Sequence, residues 1–125
     1  LRAVLLGGPG DRAAAGRLTA TGDVLDLAGR TNLRQAAALI ERARLLVGVD
    51  TGLTHMGSAF AIPTIALFGS TRPYLVTDSA RTAVLHRDMP CAPCKRHPTC
   101  GGAYTCMRDI TVNDVLVQAR RLLAA

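Results

Sequence analysis

Apolar residues arrive in short bursts along this chain, separated by polar, glycine-rich stretches. Residues 3–6 form an unbroken apolar run that ends in Gly7, Gly8, Pro9 and Gly10, a strand signal followed by a turn signal. Asp11 can then cap a helix running to about residue 20. Residues 24–27 are a second short strand. Leu33, Ala36, Ala37 and Ile40 fall on one helical stripe, with Arg34, Glu41 and Arg42 off it, and either Thr31 or Asn32 can cap that helix. Residues 45–49 read as a buried strand closed by Asp50, Thr51 and Gly52, and residues 53–61 as a short helix stopped by Pro63. Residues 64–68 are the next strand, ending at Gly69, Ser70 and Thr71, and residues 82–85 a weaker fifth one. Residues 89–106 have no periodicity and are rich in Cys, Pro and Gly, as in an ordered loop. Thr111 with Asp114 three residues on makes a capping box for a last helix. Its stripe is Val115, Leu116, Ala119, Leu122 and Leu123, and Arg120 and Arg121 sit in the last turns, where the helix dipole favours cations.

Strands that alternate with helices predict an α/β fold: a parallel sheet with right-handed crossovers and helices on both faces. Such sheets bind ligands beyond the carboxyl ends of their strands. Three loops are expected there, residues 7–11, 50–55 and 69–73, all carrying turn glycines and small polar residues.

Composition narrows the picture. The chain has 125 residues, enough for one domain with one core, and 49% of them are hydrophobic but only 3% aromatic. Its core must be built from Ala, Val, Leu and Ile, which suits strands buried on both faces. No apolar run approaches the roughly 20 residues that span a bilayer, and no secretion signal is present. The first residue is Leu1, already inside a strand signal, so a piece cut at a domain boundary is expected. Lys and Arg number 15 against 9 Asp and Glu, a net charge of +6 that favours anionic partners. No basic run is interleaved with aromatics, so nucleic acid is not among the expected partners. Four cysteines all lie within residues 91–106, which without a secretion signal points to reduced thiols or metal ligands before disulfides.

The densest chemical signal is Gly48, Val49, Asp50, Thr51, Gly52, Leu53, Thr54 and His55, a buried strand running into a helix with glycine in its first turn. The first N–H groups of such a helix lack intrahelical acceptors, and with the helix dipole they suit a diphosphate. Gly52 lets phosphate oxygens approach the backbone. Thr51 and Thr54 can add donors, and His55, one turn in, can donate to a phosphate or leaving group. Asp50 would repel a phosphate and more naturally accepts from sugar hydroxyls. The plainer reading is that Asp50 and Thr51 cap the helix and His55 packs on a neighbour.

The run Asp50-Thr51-Gly52-Leu53-Thr54-His55, followed by Pro63-Thr64-Ile65-Ala66-Leu67-Phe68-Gly69-Ser70-Thr71-Arg72-Pro73, resembles glycosyltransferase family 9, the heptosyltransferases of lipopolysaccharide core synthesis. Cys91-Ala92-Pro93-Cys94, then Cys100 and Cys106-Met107-Arg108-Asp109-Ile110, resembles the heptosyltransferase II branch, although His97-Pro98-Thr99-Cys100 stands where relatives often have Cys-Pro. The resemblance implies a GT-B fold of two Rossmann-like halves facing a cleft, with this chain as the second, donor-binding half over residues 1–125 and the acceptor half absent from it. It implies ADP-heptose as donor, inversion at the anomeric carbon, no metal required for chemistry, and a general base in the other half. Carried over by motif, Asp50 binds the heptose, while Thr51, Gly52 and His55 bind the diphosphate. Thr31 falls near the adenine. Ser70 and Thr71 contact sugar or phosphate, or form a plain turn. The loop of residues 7–11 borders the ribose or is a plain strand-to-helix turn.

The cysteine spacing, C-x2-C-x5-C-x5-C, allows Cys91, Cys94, Cys100 and Cys106 to close around one structural zinc, with His97 as a substitute ligand, or to remain free thiols. Arg72, Arg81, Arg87, Lys95 and Arg96 either face an anionic acceptor, the lipopolysaccharide core, or are solvated surface. The expected location is the cytoplasm, with peripheral contact at the inner face of the inner membrane. Two competing readings remain at this stage: a non-catalytic Rossmann-type nucleotide-binding module, and a small metal-binding interaction domain centred on the cysteines.

Overall fold

The computed structural model of the chain describes residues 2–19, 22–71 and 80–125. Arg72 and Pro73 lie outside the described residues, as does the expected end of the first helix at residue 20. The chain divides into two compact units, Leu1–Leu39 and Ile40–Ala125.

In the first unit, β1 (Ala3–Leu5) and β2 (Val24–Asp26) pair in parallel, with Ala3 opposite Val24 and Leu5 opposite Asp26. The crossover between them carries α1 (Arg12–Thr19). The pairing continues past the strands, where Leu27 N–H donates to Leu5 O at 3.0 Å and Gly29 N–H to Gly7 O at 2.8 Å. The entry to α1 differs from expectation. A 3-10 turn at Pro9–Asp11 precedes it, and Asp11 closes that turn from its third position by accepting Gly8 N–H at 2.8 Å. Pro9 fits its first position because the N–H it lacks would have no intrahelical acceptor there.

Helix α2 (Leu33–Glu41) starts with a reciprocal cap. Asn32 Oδ1 accepts Gln35 N–H and Gln35 Oε1 accepts Asn32 N–H, both at 2.9 Å. Asn32 is therefore the cap, and Thr31 lies one residue outside it.

In the second unit β3 (Leu46–Val49), β4 (Thr64–Leu67) and β5 (Thr82–Leu85) form a parallel sheet in that order. Leu46, Thr64 and Thr82 lie in register. Side chains alternate between faces along a strand, which assigns the two helices that cover the sheet. Helix α3 (Gly52–Ala59) lies on the face of Leu46, Gly48 and Thr64: a Cβ at Gly57 would meet Leu46 and Thr64, and Ser58 Oγ is 3.0 Å from Thr82 Oγ1. Helix α5 (Val112–Ala124) covers the other face over β4 and β5, where Ile65, Ala83 and Leu122 form the core with Leu67, Leu85, Val115 and Ala119 packed around them; β3 is not buried as expected, since Val47 and Val49 on that face are 45% and 48% exposed. Ile65 is fully buried, as strand-centre residues between two helix layers must be. The architecture is the parallel α/β class with helices on both faces that the sequence predicts.

Local chemistry explains the element ends. Helix α3 stops when Ala61 turns left-handed, at φ 54°, and Ile62 N–H reaches back to Gly57 O at 2.9 Å, so it ends before Pro63 acts. The capping box of α5 forms as read: Thr111 Oγ1 accepts Asp114 N–H at 3.2 Å, and Asp114 accepts Thr111 N–H at 2.8 Å. Those bonds, the backbone one foremost, hold the Asp114 carboxyl below the usual range, with the Arg87 guanidinium adding to them. Within the stretch expected to be loop, a single helical turn, α4 (Thr105–Arg108), follows Tyr104.

Candidate functional site

Asp50 is the first residue beyond β3, and the chain stays extended at Thr51 (φ −140°, ψ 163°) before α3 begins at Gly52. Thr54 and His55 N–H groups turn back to Thr51 O at 3.1 and 3.2 Å. The N–H groups of Gly52 and Leu53 have no acceptor among the described residues. The Thr51 hydroxyl makes no capping bond either. Two backbone donors at the positive end of α3 are thus left unspent. A Cβ at Gly52 would meet nothing within 4 Å, so the backbone there is open on its side-chain side.

Thr54 does something else than the sequence suggests. It is 2% exposed and its hydroxyl donates to Val49 O at 2.6 Å. It is a strut between α3 and β3, and its only hydroxyl proton is spent there, which corrects its placement among phosphate donors. Gly48 makes room for it, because a Cβ at that position would overlap Thr54 Oγ1.

The Asp50 carboxylate is occupied by side chains rather than by the helix end, so Asp50 does not cap α3; Thr51 is the cap residue by position, without a side-chain bond. Its Oδ2 accepts the Thr71 hydroxyl at 2.7 Å, and its Oδ1 lies 3.2 Å from His55 Nε2. The Arg96 guanidinium stands 4.0 Å from Oδ2. The Thr71 hydrogen bond, then that of His55, holds the Asp50 carboxyl below the usual range, against a partial burial that pushes it up. His55 remains half-exposed, with 50% of its side chain accessible.

The cysteine loop completes the site. Lys95 N–H donates to Ser70 O at 2.8 Å, and Met107 and Cys106 pack against Gly69. Between the loop and the strand ends lies a cavity of about 590 Å³. Asp50, Thr51, Ser70 and Thr71 line one side of it, and Cys91, Cys94, Cys100 and Cys106 all contribute to the other.

The thiols share the cavity without gathering: among the described residues no three His, Cys, Asp or Glu side chains are grouped to hold a metal. Each sits on its own turn. Cys94 O takes His97 N–H, Cys100 O takes Ala103 N–H, and Cys106 rides on α4. The expectation of a structural zinc, with His97 as substitute ligand, is therefore not supported. All four cysteines are free, and hydrogen bonding from Tyr104 lowers the Cys100 thiol below its ordinary value.

The basic residues separate by role. Arg87 donates to Asp109 O at 2.9 Å and to Asp114 at 2.6 Å, which ties the chain after β5 to the start of α5 and removes it from the ligand-facing set. Arg96 lines the cavity. Lys95 and Arg96 are both left-handed, with φ 51° and 68°, a conformation that costs a non-glycine residue about 1–2 kcal/mol. The sequence named Arg96 only as one of a scattered set, and no local motif marks it. Thr31 belongs to the first unit, half-buried just before the cap of α2.

The profile of glycosyltransferase family 9 (heptosyltransferase) matches residues 1–104. Lipopolysaccharide heptosyltransferase 1 of Pseudomonas aeruginosa is 40% identical over 89 residues, covering 70% of this chain and 25% of that protein. Lipooligosaccharide heptosyltransferase 2 of Haemophilus ducreyi is 33% identical over 104 residues, covering 80% of this chain and 30% of the relative. Among solved structures, the ADP-heptose lipopolysaccharide heptosyltransferase II of E. coli superposes with a TM-score of 0.80 at 29% identity, over 98% of this chain and 36% of the other. The chain thus spans between a quarter and about a third of these relatives. With a family profile matched over most of its length, the chain belongs to glycosyltransferase family 9.

Proposed function

We propose that this chain is the donor-binding domain of a longer GT-B enzyme that moves heptose from ADP-heptose onto the inner core of lipopolysaccharide. The observation that carries the reading is the junction of β3 and α3. The tethered Asp50 carboxylate and Thr51 line a cavity there, and the next two residues, Gly52 and Leu53, carry backbone donors with no acceptor among the described residues, so hydroxyl and anion recognition are adjacent in the chain. The relatives, all heptosyltransferases by name, support it, as does the share of their length that the chain covers.

In this reading the Gly52 and Leu53 N–H groups, the Thr51 hydroxyl and His55 hold the diphosphate. Asp50 accepts from heptose hydroxyls, with Ser70 and Thr71 beside it. The donors at the start of α3 stabilise charge as it builds on the departing ADP. Another domain supplies the general base and the lipopolysaccharide acceptor. The enzyme works in the cytoplasm against the inner face of the membrane; no described helix is long and apolar enough to cross one.

Calorimetric titration with ADP, ADP-heptose and UDP-glucose tests the reading. Selective binding of ADP-heptose is expected, with the preference over ADP lost in Asp50→Ala and the ADP affinity reduced in His55→Ala. Equal affinity for all three ligands in the full-length enzyme would overturn it.

A further inference from the structure

Among the described residues that line the cavity, only Asp50 and Arg96 carry a formal charge. A cavity with just this pair is neutral, whereas the ligand assigned to it above is a multiply charged anion. Asp50 alone would oppose that ligand, and among the described lining residues Arg96 is the one cation that offsets it.

The guanidinium is placed for that task without being consumed elsewhere. At 4.0 Å from Asp50 Oδ2 it is beyond hydrogen-bond length, and 72% of its side chain is accessible. It makes no hydrogen bond among the described residues. Its backbone is held, in contrast. The preceding residue, Lys95, bonds Ser70 O, and His97 N–H bonds Cys94 O, so the left-handed pair at 95 and 96 is pinned beside Ser70 and Thr71. Left-handed backbone at non-glycine residues clusters at ligand sites, and here it holds a cation whose ion pair with Asp50 is long and largely exposed. Arginine also suits a phosphate, since its planar fork can donate two parallel hydrogen bonds.

We propose that Arg96 is a diphosphate-binding residue of the donor site, which rests on the reading of the cavity given above. When a nucleoside diphosphate enters, the guanidinium turns from Asp50 to the phosphate oxygens. Asp50 keeps its bonds from Thr71 and His55 and gains a freer Oδ2 for a sugar hydroxyl. The cysteine loop then supplies an anion contact as well as a wall, and one residue couples recognition of the diphosphate to that of the sugar.

The experiment is a titration of the full-length enzyme with ADP at low and high salt, for the wild type, Arg96→Gln and Arg96→Lys. Arg96→Gln is expected to weaken ADP binding about tenfold at low salt, equal to about 1.4 kcal/mol, and distinctly less at high salt, where the charge is screened. Arg96→Lys keeps most of the affinity. Unchanged binding in Arg96→Gln, while His55→Ala still weakens it, would overturn this inference alone. A loss of the same size at both salts, shared by Arg96→Lys, would also overturn it, because it would mark a packing role for the loop. If the wild type itself does not bind ADP, the reading of the cavity as a donor site fails, and the inference falls with it.

Discussion

Gly48→Ala is the sharpest test of how the β3–α3 junction is built. A methyl group at that position overlaps Thr54 Oγ1 and comes to 3.3 Å from Thr54 Cβ. Thr54 has nowhere to go, being 2% exposed with its hydroxyl bound to Val49 O at 2.6 Å. Overpacking of this kind costs about 1–3 kcal/mol. If the clash also breaks the hydrogen bond to Val49 O, that loss adds about 1 kcal/mol. The sum is about 2–4 kcal/mol, which at roughly 4 °C per kcal/mol lowers the melting temperature by about 8–16 °C. Thermal and urea denaturation read it directly. The reasoning also predicts rescue. Thr54→Ala removes the overlapping oxygen, and the remaining contact at 3.3 Å relaxes with a shift of a few tenths of an ångström. The double variant Gly48→Ala, Thr54→Ala should therefore be at least about 1 kcal/mol more stable than the two single losses add up to. Additivity within about 0.5 kcal/mol would refute the proposed clash.

Three further outcomes follow. Thr71→Val removes the bond that most lowers the Asp50 carboxyl, so its titration midpoint, read by carboxyl-carbon NMR, rises toward the ordinary aspartate value. Because the folded midpoint is depressed, the Asp50 pairing stabilises the fold above the ordinary midpoint and is lost as pH falls through the lowered one; an unmoved midpoint contradicts the bond. All four cysteines line the cavity, so saturating ADP should slow their alkylation by iodoacetamide severalfold in a mass-spectrometric time course, and equal rates with and without ADP would place the nucleotide elsewhere. Leu122→Ala opens the core beside Ile65 and Ala83 and should cost about 2–5 kcal/mol in urea unfolding, with a loss below 1 kcal/mol showing that α5 does not seal that face.

What could be read from the sequence was set by local physics. Apolar runs of strand length separated by helical stripes fix the parallel α/β class, and β3 to β5 appear where those runs lie. The capping box of Thr111 and Asp114 depends on residues three apart, and it formed as read. Asn32 and Gln35 carry the same spacing, so the sequence held the answer between Thr31 and Asn32. Other features depend on contacts that local patterns do not encode. The bond from Thr71 to Asp50 spans 21 residues, and only the sheet register brings the ends of β3 and β4 together. Thr54 lies on the motif by position but faces the strand, because the helix turns its side chain inward. The cysteine spacing suits a zinc site, yet each thiol is carried on a separate turn. Arg96 has no pattern around it at all, and only the loop's anchor on Ser70 shows what it faces.

The placement of an aspartate beside the proposed diphosphate site has a physical resolution. An aspartate just before a helix most often caps it, accepting the first N–H groups and satisfying the dipole. Asp50 does not, because Thr71 and His55 draw its carboxylate aside. The Gly52 and Leu53 donors are left without an acceptor among the described residues, and the carboxylate becomes a separate acceptor beside them. Donors for negative oxygens and an acceptor for hydroxyls then stand next to each other on one strand-to-helix turn, which is the pairing that a sugar attached to a diphosphate requires. If Thr71 were unable to hold Asp50, the carboxylate could swing onto the helix end. The proposed anion site would then be filled from within by the protein's own side chain. The hydroxyl of Thr71 thus keeps the two functions of the turn apart.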